Sequence, residues 1–262
     1  MSPSSVAPIK ALILDMDGVL WRGDRPIGDL PAIFASMKKR GYGVVLATNN
    51  ATLSATDYLA KIHDFGVDLE EWQIVNSSQA AGHYLAQRFP EKGKVFIIGE
   101  SGLVSTLSSF GFELAEHDVL AVVAGMDRNL TYEKLRKATL LIRGGVLFIG
   151  TNPDRTYPMP EGLVPGAGAI LAALEAATDT PPIIVGKPAP EMYRVALERL
   201  QVEPEQALVV GDRLETDIAG AQKLGCRTAL VLSGVTSKME ALSWSPPPDW
   251  IEADLTELMR RI

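Results

Sequence analysis

Two aspartates, Asp15 and Asp17, follow the apolar run at residues 9–14 and precede Gly18. Side chains at i and i+2 of an extended segment point to the same side, so two carboxylates share one locality. Gly18 permits a tight backbone path and close approach by a ligand. A strand-terminal turn rich in Asp and Gly is the competing reading, because both residues suit turns. A second acidic pair, Asp212 and Asp217, follows Gly211 at the end of another apolar run. The spacing predicts Asp217 about one turn into the next helix. Helix N-capping accounts for one of these aspartates, hardly for both. If the strands bearing Asp15 and Asp212 are neighbours, four carboxylates meet, with Lys187 as the only cation invoked. Such a cluster needs a divalent metal, and oxygen-only ligands point to Mg²⁺, which keeps several waters and bridges to phosphate.

Two further stretches supply anion-binding groups. Thr48, Asn49 and Asn50 precede a helix-start signature, so a hydroxyl, two amides and free backbone N–H groups converge where an anion would be held. Capping alone also explains Thr48 or Asn50. Lys187 lies between Gly186 and Pro188, and the proline biases it to an extended conformation. A lone lysine is ordinarily solvated; beside the other groups it is a compact cation for phosphate. A carboxylate nucleophile, a second carboxylate, an anion cradle, a cation and a metal together make phosphoryl-transfer equipment.

Short apolar runs must position these groups. They occupy residues 9–14, 44–47, 95–98, 119–124, 146–149, 183–185, 207–210 and 228–232, and most lead into a helical pattern. Continuous apolar strands joined by crossover helices specify α/β architecture with parallel sheets, whose functional loops lie at the carboxyl ends of the strands. The stretch between Thr48 and Lys187 is too long for a crossover and has its own strand-helix rhythm. Residues 82–178 are therefore expected to form a second α/β domain inserted into a core of residues 1–81 and 179–262. With 262 residues, one or two domains are expected at roughly 150 residues each.

Composition narrows the function. A net charge of −7 without a long basic run argues against a dedicated nucleic-acid binder. Cys226 is the single cysteine, so no internal disulfide forms, zinc-finger and redox readings lose their basis, and a reducing cytoplasm is the natural compartment. The first ten residues lack the pattern of a signal peptide, and no apolar run reaches ~18 residues, so no membrane association is expected. His63, His83 and His117 read as surface or packing residues and Cys226 as a small buried apolar group. Trp21 either lines a flap near the site or simply packs.

The stretches DMDGVLWRG, ATNN, GMDRNLTYEKL, GTNPD, GLVPGAGAI, GKPAPEMY and GDRLETDI resemble the motifs of the haloacid dehalogenase (HAD) superfamily, in particular its NagD-like class IIA phosphatases. The resemblance runs from about residue 9 to the end. It implies a Rossmann-like parallel-sheet core with an inserted α/β cap domain. It further implies that Asp15 attacks phosphorus to form an aspartyl-phosphate, while Asp17, raised in pKa by a like-charged neighbour and partial burial, protonates the leaving oxygen and then activates water. Thr48 and Lys187 would hold the phosphoryl oxygens, with Asn49 and Asn50 close by. Mg²⁺ would be bound by Asp15, the main-chain carbonyl of Asp17, Asp212 and, directly or through water, Asp217.

In the resembling family a cap loop closes over the substrate, which makes Asp154, Arg155, Thr156 and Tyr157 of the proline-stiffened loop at residues 151–160 specificity candidates; a rigid surface turn is the alternative. The expected substrate is a small phosphorylated metabolite, and pairing through the cap into a homodimer is the expectation for assembly. The competing functions are a phosphotransferase or mutase on the same scaffold and a catalytically idle phosphometabolite-binding protein.

Overall fold

Each of the eight apolar runs contributes a strand, and the helices between them return the chain to the next strand in the same direction, as buried parallel strands require. The structure, a computed structural model, describes residues 7–159 and 162–262. In chain order the elements begin with Ala11–Leu14 (β1), the short hairpin Trp21–Arg22 (β2) and Arg25–Pro26 (β3), Leu30–Lys39 (α1), Gly43–Thr48 (β4), Ala55–Asp64 (α2) and Ile74–Asn76 (β5). They continue through Ser77–Arg88 (α3), Gly93–Ile98 (β6), Ser101–Ser109 (α4), Phe112–Leu114 (β7), Ala121–Ala124 (β8), Tyr132–Arg143 (α5), Leu147–Gly150 (β9), Thr156–Met159 (β10), Gly162–Pro165 (β11) and Ala167–Thr178 (α6). The last stretch holds Ile183–Ile184 (β12), Pro190–Leu200 (α7), Ala207–Gly211 (β13), Ala219–Leu224 (α8), Arg227–Val231 (β14), Lys238–Ser243 (α9), Trp250–Glu252 (β15) and Leu255–Arg261 (α10).

The chain forms two compact units, one of residues Met1–Thr48, Leu59–Val75 and Tyr193–Ile262, the other of Asn49–Tyr58 and Asn76–Met192. The first is built on a six-stranded sheet in the order β15-β14-β13-β1-β4-β5. Its centre is β1, which pairs in parallel with β13 on one side (Leu14 opposite Val210) and β4 on the other (Leu14 opposite Leu46). All four β1 side chains are fully buried, and at roughly 1.5–3 kcal/mol for each large aliphatic group this burial anchors the sheet. On α1 the buried residues Leu30, Ile33 and Met37 recur at helical spacing, and Asp29 caps its start through the Ala32 N–H at 3.1 Å.

The second unit carries a five-stranded sheet, β12-β9-β8-β6-β7, with every pair parallel, and the antiparallel hairpin β10-β11. Its core joins Phe96, Val122 and Phe148 of the sheet to Ile142 of α5 and to Ile170, Leu171 and Leu174 of α6. Relative to the expected 82–178 span, this unit also takes in Asn49–Tyr58 and runs from Asn76 to Met192. The strand β12 explains much of the difference: Ile183 and Ile184 pair with Ile149 and Gly150 of β9. A two-residue apolar strand carries no signal of which sheet it joins. Among the described residues, no helix is long and apolar enough to cross a membrane.

Cys226 is 6% exposed, at the start of β14, and burial pushes its thiol up to about 12. Because the thiolate is the reactive form, modification of the native protein by a thiol reagent at pH 8 is expected to be slow and to follow global unfolding on added denaturant. Rapid stoichiometric labelling without denaturant would contradict this burial.

Candidate active site

Adjacency of β1 and β13 brings the two acidic stretches of the first unit together. Asp15 continues β1, donating its N–H to the Val210 carbonyl at 2.8 Å, and Asp212 follows the last residue of β13. One carboxylate oxygen from each of Asp15, Asp212 and Asp217 lies within 4.8 Å of the others. Asp212 and Asp217 are each 1% exposed. Oxygen-only donors at this spacing, with two of the three groups almost fully buried, fit a hard divalent cation. Thr48 closes β4 on the other side of β1 and is buried.

Local backbone geometry fixes each carboxylate. The Val235 N–H donates to Asp212 Oδ2 at 2.7 Å, and the Thr236 N–H donates to the Asp212 carbonyl at 3.2 Å. The loop at residues 233–236 therefore clasps Asp212. Asp217 lies in a π turn, Leu214–Ile218, rather than one turn into a regular helix. Its Oδ2 accepts the Arg213 N–H at 3.1 Å, so it also serves the start of the turn. Two glycines allow this packing: a Cβ on Gly18 would lie 2.6 Å from Asp212 Oδ2, and one on Gly234 only 1.9 Å from it. Gly18 has φ +85°, and Ser233 Oγ donates to its carbonyl at 2.7 Å.

Asp17 departs from expectation in one respect: it is exposed, not partly buried. Its carboxylate leaves the trio, and Oδ1 accepts the Trp21 indole N–H at 3.0 Å. The left-handed turn at Gly18, which carries the chain back so that Trp21 bridges to Asp17, is the physical reason.

The second unit gathers the remaining candidates at the carboxyl edge of its own sheet. Asn49 Nδ2 donates to the Lys187 carbonyl at 3.0 Å and, at 3.3 Å, to Asp154 Oδ2. The Asn49 carbonyl accepts from Ser77 Oγ at 2.6 Å and from Asn152 Nδ2 at 2.7 Å. Asn50 Oδ1 accepts the Thr52 N–H at 2.9 Å and the Thr52 hydroxyl at 2.7 Å, which is a capping turn. Lys187 is 3% exposed and thus not the solvated surface lysine that composition alone would suggest. A Cβ on Gly186 would lie 2.3 Å from the Thr151 carbonyl and 2.7 Å from Asn49 Oδ1; this glycine lets the three loops close on one another.

Of the specificity candidates, Arg155 and Thr156 are exposed, whereas Asp154 and Tyr157 are half-buried. The expected loop is shorter than 151–160, since Thr156–Met159 is strand β10; Pro160 lies outside the described residues. The Asp154 and Arg155 carbonyls accept the Gly168 and Gly166 N–H groups at 2.8 and 2.9 Å, which pins the loop to the start of α6. At the same edge Arg128 pairs with Glu100 through two hydrogen bonds, of 2.6 and 2.5 Å, holding the Glu100 carboxyl below its usual range.

Sequence reasoning missed Asn152 as an individual residue, Ser77, the Glu100–Arg128 pair and the clasp at 233–236. Only the last carried a usable signal, a small polar stretch directly after the apolar run 228–232.

A parallel sheet whose central strands deliver three clustered aspartates at their carboxyl ends puts a candidate cation site where α/β enzymes carry their functional loops. Comparison with known proteins carries this to a family. Residues 12–113 match the family model for haloacid dehalogenase-like hydrolases, and residues 184–258 match a second HAD-like hydrolase model. Phosphoglycolate phosphatase 1A, a chloroplastic protein of Arabidopsis thaliana, is 35% identical over 96% of this chain and 76% of its own. NagD from E. coli K-12 is 31% identical, with a TM-score of 0.89 over 96% of this chain and 98% of its own. The glycerol phosphate phosphatase of Mycobacterium tuberculosis, solved in complex with magnesium, is 35% identical, with a TM-score of 0.88 over 95% and 76%. The chain belongs to the haloacid dehalogenase-like hydrolases, among the NagD-like class IIA phosphatases, and is a phosphoric monoester hydrolase.

The closeness of Gly234 to Asp212 is open to test. Gly234→Ala must displace the carboxylate or the clasp and is expected to lower unfolding free energy by about 1–3 kcal/mol, read from urea denaturation. A variant as stable as the parent would contradict the packing of the clasp.

Proposed function

We propose that the protein is a Mg²⁺-dependent hydrolase of small phosphorylated metabolites, working through an aspartyl-phosphate on Asp15. The observation that carries the proposal is the trio of Asp15, Asp212 and Asp217 oxygens within 4.8 Å. In a phosphoryl hydrolase, such a trio serves both to hold a cation and to present one carboxylate as nucleophile.

Asp15 attacks phosphorus as the ester P–O bond breaks. Asp17 delivers its proton to the departing oxygen, and as a carboxylate it then takes a proton from the water that hydrolyses the acyl-phosphate. Thr48 and Lys187 hold the phosphoryl oxygens, with Asn49 and Asn50 organising the loops that carry them. Asp15, the Asp17 main-chain carbonyl, Asp212 and Asp217 would hold the cation. When bound, Mg²⁺ supplies positive charge that offsets the repulsion between Asp15 and the incoming anion and stabilises the transition state.

Asp154, Arg155 and Tyr157 are proposed to select the rest of the substrate. Arg155, exposed at the loop, suits a second acidic group on the ester, and Tyr157 suits a ring or hydroxyl. The similar proteins are named for phosphoglycolate and glycerol phosphate, both compact esters with a polar group close to the phosphate. Those names support a small-ester class for this chain.

Phosphate release from a panel of small phosphoesters, measured with Mg²⁺ and with EDTA, tests the reading. EDTA is expected to abolish release, and Asp15→Asn to lower kcat by at least about 10³-fold while thermal stability and circular dichroism stay near the parent's. Retention of a tenth of the parent kcat would exclude Asp15 as nucleophile. Phosphate delivered to an alcohol instead of to water would shift the assignment to transfer, and no turnover of any ester would shift it to binding.

A further inference from the structure

We infer that Trp21 is a positioning residue for Asp17, fixing the plane of the carboxyl group through which the leaving oxygen receives its proton. This rests on the acid/base role proposed above for Asp17.

An aspartate side chain turns about two torsions, and an exposed one has little packing to choose among its rotamers. Asp17 is exposed, yet the structure gives it a rigid tether. The Trp21 indole N–H donates to Asp17 Oδ1 at 3.0 Å, and Trp21 itself is 1% exposed. The backbone between them is closed on itself: Gly18 N–H donates to the Trp21 carbonyl at 2.7 Å and Leu20 N–H to the Met16 carbonyl at 2.8 Å. The indole ring is held from two further sides. Phe65 meets it at a centroid distance of 5.8 Å and a tilt of 43°, and Lys61 Nζ lies 4.7 Å from the ring centroid. Lys61 is fixed in turn by the Gly23 carbonyl at 2.9 Å, in the β2-β3 turn. An aromatic packed in this way has almost no freedom, so the direction of its N–H is set by the fold.

With Oδ1 fixed to that N–H, the carboxyl plane is defined and so is the direction of its other oxygen. Proton transfer depends steeply on such geometry. A purely structural alternative also exists: a buried indole N–H needs an acceptor, and Asp17 would be serving Trp21. The two accounts differ in what they predict for chemistry.

In the first half-reaction the ester P–O bond breaks, a P–O bond to Asp15 forms, and the Asp17 proton passes to the departing alkoxide, which leaves as an alcohol. p-Nitrophenolate is a weak base and leaves without that proton. The quantity kcat/KM reports only the steps through this first bond cleavage, so comparing it between the two kinds of ester isolates the proton transfer.

The experiment measures kcat/KM for glycerol phosphate and for p-nitrophenyl phosphate with the parent, Trp21→Phe and Asp17→Asn. Trp21→Phe keeps an aromatic ring, smaller than the indole, and removes the N–H. It is expected to lower kcat/KM for glycerol phosphate about tenfold more than for p-nitrophenyl phosphate, with Asp17→Asn showing the same bias more strongly. Equal losses on both esters, or none, in Trp21→Phe beside a biased Asp17→Asn would overturn the positioning role while sparing the acid/base reading. An unbiased Asp17→Asn would overturn both. Should Trp21→Phe fail to fold, the indole ¹⁵N–H resonances of the parent, which has four tryptophans, decide: one is expected to move on Asp17→Asn, and four unmoved resonances would overturn the tether.

Discussion

Mutual repulsion among Asp15, Asp212 and Asp217 is the constraint that the first unit is built to withstand. At separations of 4.8 Å or less, and an effective dielectric of about 20, each pair of ionised carboxylates repels by ~3 kcal/mol or more. Burial of Asp212 and Asp217 to 1% exposure removes the water that would screen them. The counterweights are visible in the structure. Backbone N–H groups of Val235 and Arg213 point at the two buried carboxylates, and β1 and β13 are locked in register by side chains at most 2% exposed. A cation would convert the repulsion into binding energy, which is why a cluster costly to the bare fold is useful to a phosphatase.

The second unit solves a different problem, that of keeping a buried lysine and two asparagine-bearing loops in fixed relation. Asn49 is the junction. Its amide reaches the Lys187 carbonyl, and its own carbonyl is shared by Ser77 and Asn152. Neutral hydrogen bonds at strand ends do this without adding charge, and each one satisfies a buried polar group that would otherwise destabilise the fold. Polar side chains on loops thereby acquire the precision of the parallel sheet beneath them.

Legibility in the sequence followed the physics of each element. The fully buried strands were visible as apolar runs, and from the pairing of two such strands followed the meeting of Asp15 with Asp212. Shorter strands were not: β5, β7 and β15 have three residues each and are bounded by polar or proline-rich segments. The affiliation of β12 was invisible because parallel pairing leaves no mark on a strand's own residues. Thr156–Met159 was hidden as a strand by the prolines around it. Residue types and spacing singled out the aspartates, Thr48, Asn49 and Lys187 as candidates, and the structure clusters Asp15, Asp212 and Asp217. The exposure of Asp17 and the clasp on Asp212 depend on how Gly18 and Gly234 bend the chain, and glycine announces freedom without direction.

The central claim, that Asp15 is the phosphoryl acceptor, is tested most directly by chemical trapping. The parent enzyme turning over a phosphoester is quenched in acid, reduced with borohydride and digested, and the peptides are read by mass spectrometry. An acyl-phosphate on Asp15 is expected to appear as homoserine at that position, only when substrate is present. Reduction at another carboxylate, or none at all while phosphate is being released, would contradict it.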